Sequence, residues 1–260
     1  MSALIIDTKT CVRFITLNRP ERHNAFDDGL IAELTQAFLA ASADDGVRVV
    51  VLDSVGKSFS AGADLEWMKR MAGYDRARNL EDAKALARLM QVIDQCPKPT
   101  IAVVQGAAYG GGVGLAATCD MVVAADHALF CLSEVKLGII PAVISPYVVR
   151  AIGARASRRY FQTAETFAAT KAAELGLVSE VASPEQLIAV RDRWIAALLV
   201  NGPAAMAAAK DLAVQAAERT LDDSLRVWTA ERIADLRASD EGKEGVTAFL
   251  ERRKPSWIGG

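Results

Sequence analysis

The sequence predicts an α/β fold, a core of repeated strand–strand–helix units followed by a helical appendage. Three observations carry that prediction. The runs VRVVVLD (47–53) and PKPTIAVV (97–104) are almost wholly apolar over strand length, as parallel strands buried on both faces are. Each is followed by a loop of small residues that opens into a helical pattern, SFSAGADL (58–65) and QGAAYGGGVGLAATCD (105–120). Beyond residue 195 the chain becomes Ala-rich with alternating charge, so residues 1–195 read as the core and 196–260 as the appendage.

Taken in order, residues 3–7 and 11–17 alternate as a hairpin, with Asp7 to Thr10 as its turn. The polar loop LNRPERHNAF (17–26) leads to a helix from about Asp27 to Ala43. Asp27 or Asp28 caps it, and Leu30, Ile31, Leu34 and Phe38 form its apolar face. The helix after SFSAGADL carries Asp64 in its first turn, and 75–95 reads as a charged surface helix. DMVVAA (120–125) and ALFCLS (128–133) are short strands. From about 145 the chain is mostly helical, with ELGLVSEV (174–181) as the last strand-containing turn. Helices over 203–219 and 221–239, and one ending near LERRKPSW (250–257), complete it.

Composition narrows the function classes. The chain has 260 residues, 52% hydrophobic and 24% charged, which suits a soluble globular protein rather than a disordered one. A net charge of −2 gives no reason to expect binding to nucleic acid or anionic membranes. The RRK cluster at 252–254 is the sole feature favouring RNA, and the overall charge opposes it. MSALIIDTKT has neither a basic start nor a long apolar core, so no secretory signal is expected, and no run approaches the roughly 18 apolar residues that span a bilayer. Cys11, Cys96, Cys119 and Cys131 form no C-x-x-C pair and the histidines are only His23 and His127, so no metal site is expected. Reduced, buried thiols in a cytoplasmic protein follow, with Cys119 and Cys131 in apparent core strands and poor candidates for nucleophiles.

Two loop-to-helix junctions, SAGAD (60–64) and YGGGVG (109–114), would each leave a backbone N–H free at a helix start. Two such donors converging on one point can hold an oxyanion. A glycine triplet alone equally serves close helix packing or a tight turn.

NRPERHNAF (18–26), SFSAGADL (58–65), QGAAYGGGVGLAATCD (105–120) and FCLSEVKLGIIP (130–141) together resemble the enoyl-CoA hydratase/isomerase (crotonase) family. EGVTAFLERRKPSW (244–257) is similar to its usual C-terminus, so the resemblance spans nearly the whole chain. SAGADLEWMKRMAG and FCLSEVKLGIIPAVISPYVVRAIG are further similar to bacterial methylglutaconyl-CoA hydratases of leucine and acyclic-terpene degradation. The fold implied is the crotonase-like spiral of repeated ββα units with a C-terminal helical region that builds a trimer or a dimer of trimers.

By the same resemblance the chemistry is enolate chemistry on a CoA thioester. The Ala63 and Gly111 N–H groups are the implied donors to the thioester oxygen, and Glu134 is the implied acid/base. A glutamate paired with Lys136 for purely structural reasons is the competing reading of Glu134. No separate cofactor is implied, since coenzyme A is part of the substrate. Lys57 matches a position that meets its phosphates; Arg22, His23 and Ala25 belong to the early loop of that site. Ala61, Asp64 and Leu65 flank adenine and pantetheine, Gly110 and Gly112 flank the oxyanion donor, and Arg252 matches a basic position reaching CoA from a neighbouring subunit. His23 and His127 are structural rather than basic catalysts. Tyr109 and PAVISPY (141–147) shape the acyl pocket, and Lys136, Lys69, Arg70 and Arg150 are candidates to pair a second substrate carboxylate.

One position departs from the pattern. Two-carboxylate hydratases of the family carry a second glutamate twenty residues before the first, which falls on Gly114. Three explanations stand: Glu134 acts alone in hydration, another acid such as Glu66 reaches the site, or the enzyme is an isomerase that shuttles a proton with one glutamate. A non-catalytic trimeric scaffold binding acyl-CoA is the alternative of a different class.

Overall fold

The computed structural model describes residues 2–258. Its opening hairpin pairs β1 (Leu4–Lys9) with β2 (Val12–Leu17) antiparallel, Lys9 facing Val12, so the turn is only Thr10 and Cys11. Thr10 takes a positive φ of 55°, which a two-residue hairpin turn of this twist demands. The expected Asp7–Thr10 turn was therefore too early, because Asp7 to Lys9 remain paired in the ladder.

Three strand–strand–helix repeats follow. β3 (Val49–Ser54), β4 (Ser58–Ser60) and helices α2 (Leu65–Met71) and α3 (Arg76–Asp94) form the first. β5 (Thr100–Val104), β6 (Ala107–Tyr109) and α4 (Gly111–Thr118) form the second; β7 (Met121–Ala125), β8 (Leu129–Cys131) and α5 (Ser145–Thr163) form the third. In each repeat the first strand joins one sheet and the second joins another. A partial unit, β9 (Phe167–Ala168), α6 (Ala169–Leu175) and β10 (Glu180–Ala182), closes the spiral, giving the orders β1-β2-β3-β5-β7-β10 and β4-β6-β8-β9. From β2 to β10 the large sheet is parallel, as is β4-β6-β8, because each neighbour is reached by a crossover rather than a hairpin.

Val49–Leu52 and all of β5 are fully buried, as their unbroken apolar runs require. Helix α1 (Asp28–Ala43) lies against the hairpin and α3, with Leu30, Ile31, Leu34 and Phe38 buried and the Asp27 carboxylate accepting from the Leu30 N–H at 2.9 Å. Helix α7 (Leu187–Leu199) packs against β3, β5 and β7, so residue 196, where the sequence reading begins the appendage, lies inside it. The two-residue β9 had no legible pattern.

Helices α8 (Pro203–Glu218), α9 (Asp223–Ala238) and α10 (Asp240–Leu250) pack mainly on one another. They bury only Leu225 and Ala248, leaving Leu221, Val227, Val246, Phe249 and Leu250 exposed. The Arg48 guanidinium ties them to the core by donating to the carbonyls of Asn201 and Trp257. Among the described residues no single helix is long and apolar enough to cross a membrane.

Candidate active site

The small sheet brings the chemistry together. Register pairs Tyr109 of β6 with Cys131 of β8, and the Gly110 N–H donates to the Cys131 carbonyl at 2.8 Å. Glu134 opens a 3-10 turn (Glu134–Leu137) three residues further on and lands above Gly110, whose Cβ, if it had one, would lie 3.2 Å from Glu134 Oε1. Gly110 has φ 50° and ψ −120°, a conformation effectively reserved for glycine. The turn at Gly110 starts α4 and frees the Gly111 N–H.

SAGAD approaches from the other side. A Cβ on Gly62 would sit 2.8 Å from the Tyr109 carbonyl oxygen and 3.7 Å from the Gly111 nitrogen, so the Gly62–Ala63 peptide lies beside the start of α4. Around Ala63 the amides are spoken for: Ala61 donates to the His23 carbonyl, Gly62 to Ser60 Oγ and Asp64 to the Phe26 carbonyl. The Ala63 and Gly111 N–H groups themselves donate to nothing in the protein among the described residues. That leaves two adjacent free donors and one carboxyl group, the arrangement that enolate stabilisation with proton transfer requires.

Glu134 is half-buried, and burial pushes its carboxyl above the usual glutamate range. Its Oε2 is enclosed without a hydrogen-bond partner in the protein. The competing structural reading fails here. The run is a 3-10 turn rather than extended, Lys136 is exposed, and no ion pair joins the two. Glu66 is exposed too, and its carboxylate is 2.7 Å from Lys69 Nζ.

Gly114 is enclosed in α4. A Cβ there would fall 2.2 Å from Ile144 Cγ2 and 2.9 Å from Ile144 Cβ, with Met90 Sδ at 3.4 Å. The space for a side chain at this position is thus filled by Ile144, from the PAVISPY stretch. The missing glutamate and the odd stretch are both visible in the sequence, but their contact exists only in the folded chain.

The early loop is held by buried polar contacts. Asn24 is fully buried, donates through Nδ2 to the carbonyls of Val55 and Ser58, and accepts from the Arg19 N–H. His23 Nδ1 lies 3.0 Å from Ser58 Oγ, and the Ala25 carbonyl accepts from Arg19. Asp64 is the N-cap of α2 rather than a first-turn residue: its Oδ1 accepts from the N–H groups of Glu66 and Trp67. Its Oδ2 pairs with Arg22 at 2.9 Å and Arg19 at 3.5 Å. Burial works to raise its pKa, but Arg22 and the two N–H groups outweigh it and hold the carboxyl below the usual range. Arg22 and Asp64 therefore bind each other, and Arg22 keeps an exposed edge.

The remaining expected contacts divide. Ala61, Leu65 and Lys57 are exposed, and Lys57 has no acidic partner among the described residues. Gly112 packs on Ser60, where a Cβ would meet the carbonyl oxygen at 2.7 Å, and Tyr109 is partly buried. Of the four cations considered for a second carboxylate, Lys69, Arg70 and Arg150 are paired with Glu66, Asp28 and Asp94, leaving Lys136 free among the described residues. Arg252 follows α10, which packs mainly on α8 and α9. Cys119 ends α4 rather than lying in a strand, and Cys131 donates to the Ala164 carbonyl. No three His, Cys, Asp or Glu side chains among the described residues could hold a metal ion together.

Comparison with known proteins agrees with this geometry. A model of the enoyl-CoA hydratase/isomerase family matches residues 7–260. The 2,3-dehydroadipyl-CoA hydratase of Escherichia coli is 33% identical over all of both chains. The crotonyl-CoA hydratase of Syntrophomonas wolfei is 31% identical over 98% of this chain and 97% of its own. An enoyl-CoA hydratase structure from Shewanella pealeana superposes with a TM-score of 0.96 at 46% identity, covering 98% of this chain and 96% of its own. With the spiral of ββα units, the paired free amides and the carboxyl above them, the chain belongs to the enoyl-CoA hydratase/isomerase family and has its crotonase-like fold.

Proposed function

We propose that the protein hydrates a conjugated 2-enoyl-CoA with Glu134 as its single acid/base. The carrying observation is the enclosed, unpartnered Glu134 carboxyl beside Gly110, next to the two free donors. Water oxygen bonds to the β-carbon as its proton passes to the Glu134 carboxylate. The π electrons move onto the thioester oxygen, where the Ala63 and Gly111 N–H groups hold the enolate. The enolate collapses, the α-carbon takes the proton from Glu134, and the carboxylate is restored. A carboxylate whose proton affinity is raised by burial takes the water proton more readily than an exposed one.

The acyl group we favour is branched and dicarboxylic, of the methylglutaconyl type. Support comes from the unpaired Lys136 two residues from Glu134, and from the Escherichia coli relative, whose named substrate has a second carboxylate. The Syntrophomonas relative is named for an acyl group without one, so the choice needs measurement. Isomerisation of a 3-enoyl-CoA is the second reading, favoured by Ile144 filling the place of a second acid. Incubation with conjugated enoyl-CoA thioesters in ¹⁸O-water separates them. Label in a β-hydroxyl supports hydration; double-bond migration without hydroxy product overturns it. Unchanged turnover in Glu134→Ala would assign catalysis elsewhere.

We further propose a trimer or a dimer of trimers, supported by the apolar residues that α8–α10 leave uncovered, Phe249 at 81% exposure among them. A stable monomer in light scattering would overturn this.

A further inference from the structure

We infer that Phe26 is a positioning residue that sets the separation and aim of the two enolate donors. The inference rests on the enolate reading above and goes beyond it to the part that makes the donors a pair. Phe26 touches both junctions. Its backbone forms a parallel bridge to Ala63: the Phe26 N–H donates to the Gly62 carbonyl at 2.8 Å, and the Phe26 carbonyl accepts from the Asp64 N–H at 3.0 Å. In a parallel bridge the residue opposite has its neighbours bonded and its own N–H turned away. Phe26 therefore both fixes the Ala63 loop and leaves the Ala63 amide pointing out of the bridge.

Its ring does the second half. A Cβ on Gly111 would lie 2.1 Å from Phe26 Cζ and nearly equidistant from Cε1 and Cε2, at 3.0 and 3.1 Å. The ring thus meets Gly111 end-on, its tip bearing on the Cα next to the donating nitrogen. Trp67 backs the ring with centroids 6.5 Å apart, and Asp64 fixes Trp67 by capping α2. Phe26 is 1% exposed, so neither end has room to shift. The distance from the Phe26 backbone to its ring tip consequently spaces the two N–H groups, and shortening that strut should loosen the pair without touching CoA.

The test uses full-length Phe26→Leu, which removes the tip, and Phe26→Met, which keeps reach but not rigidity. Phe38→Leu serves as a control for core truncation, since Phe38 is equally buried on α1. For Phe26→Leu the expected result is a kcat lowered about 10–100-fold with KM for the enoyl-CoA within about threefold, the pattern of an interaction lost mainly in the transition state. The infrared carbonyl stretch of bound enoyl-CoA should return toward its free value. Phe26→Met should be intermediate and carries the test if the leucine variant does not fold. Phe38→Leu should lower Tm without the kcat loss. If wild type is active and shifts the carbonyl, while both Phe26 variants keep kcat within twofold and the same shift, the assignment is overturned and the enolate reading stands. Wild type that neither turns over nor shifts the carbonyl of any conjugated enoyl-CoA removes both.

Discussion

Ile144 Cγ2 lies where a side chain on Gly114 would have to begin, 2.2 Å from the ideal Cβ position. The pair is complementary: a residue with no side chain in α4 and a branched one at the start of α5, each intelligible only with the other. Gly114→Ala should therefore destabilise by about 1–3 kcal/mol through overpacking, reduced by up to about 1 kcal/mol of helix propensity. Ile144→Ala, which costs stability alone because Ile144 is buried, should make Gly114→Ala much less damaging in its background, and that non-additivity is the diagnostic result in denaturant titrations. Additive effects would show that the two do not share the space.

Glu134 should carry a stability cost that its removal reveals. A carboxyl raised in the folded state favours folding while protonated. The penalty is absent below the unfolded value of about 4.3, grows up to the folded value and is full above it. Glu134→Gln should accordingly raise Tm at pH 7–8, with the gain fading as pH falls below about 4. Turnover should drop roughly 10²–10⁴-fold, the usual range for a lost acid/base. Calorimetry across pH and steady-state assays check the two halves separately; a variant less stable than wild type at pH 8 contradicts the burial argument.

Much of this arrangement was legible in the sequence, and the reason is local. The unbroken apolar runs of β3 and β5 announce parallel strands, Asp27 announces a helix start, and SAGAD and YGGGVG announce free amides. What escaped is what depends on residues far apart in the chain. Phe26 meets Gly111 across 85 positions and Ile144 meets Gly114 across 30, with β7 and β8 between them, and no periodicity encodes such meetings. Asp64 was misplaced by one position because a capping carboxylate and a first-turn carboxylate look alike in sequence, and only Glu66 and Trp67 donating to it separate them.

Ala63→Pro should test the donor pair more cleanly than any change at Gly111. Proline deletes the Ala63 N–H, and because that N–H bonds nothing in the protein, no internal hydrogen bond is lost with it. At Gly111 any Cβ would collide with the Phe26 ring, mixing packing damage with donor loss. The expected fall in kcat is about 10²–10³-fold. Near-wild-type kcat would mean the Ala63 amide does not meet the enolate.

Lys136 should decide preference between acyl groups rather than chemistry. It is exposed, follows Glu134 by two residues in the 3-10 turn, and has no acidic partner among the described residues, whereas Lys69, Arg70 and Arg150 are already paired. A substrate carboxylate meeting it would gain a charge-assisted hydrogen bond, worth roughly 1.5–3 kcal/mol. Lys136→Ala should then lower kcat/KM for a dicarboxylic enoyl-CoA by about 10–100-fold. For an enoyl-CoA with a plain alkyl chain it should change kcat/KM by less than about twofold, since no charge is left unpaired. Parallel assays on a matched pair of thioesters read the ratio directly. Equal losses on both would assign Lys136 to the CoA moiety common to them, and no loss on either would remove it from the site.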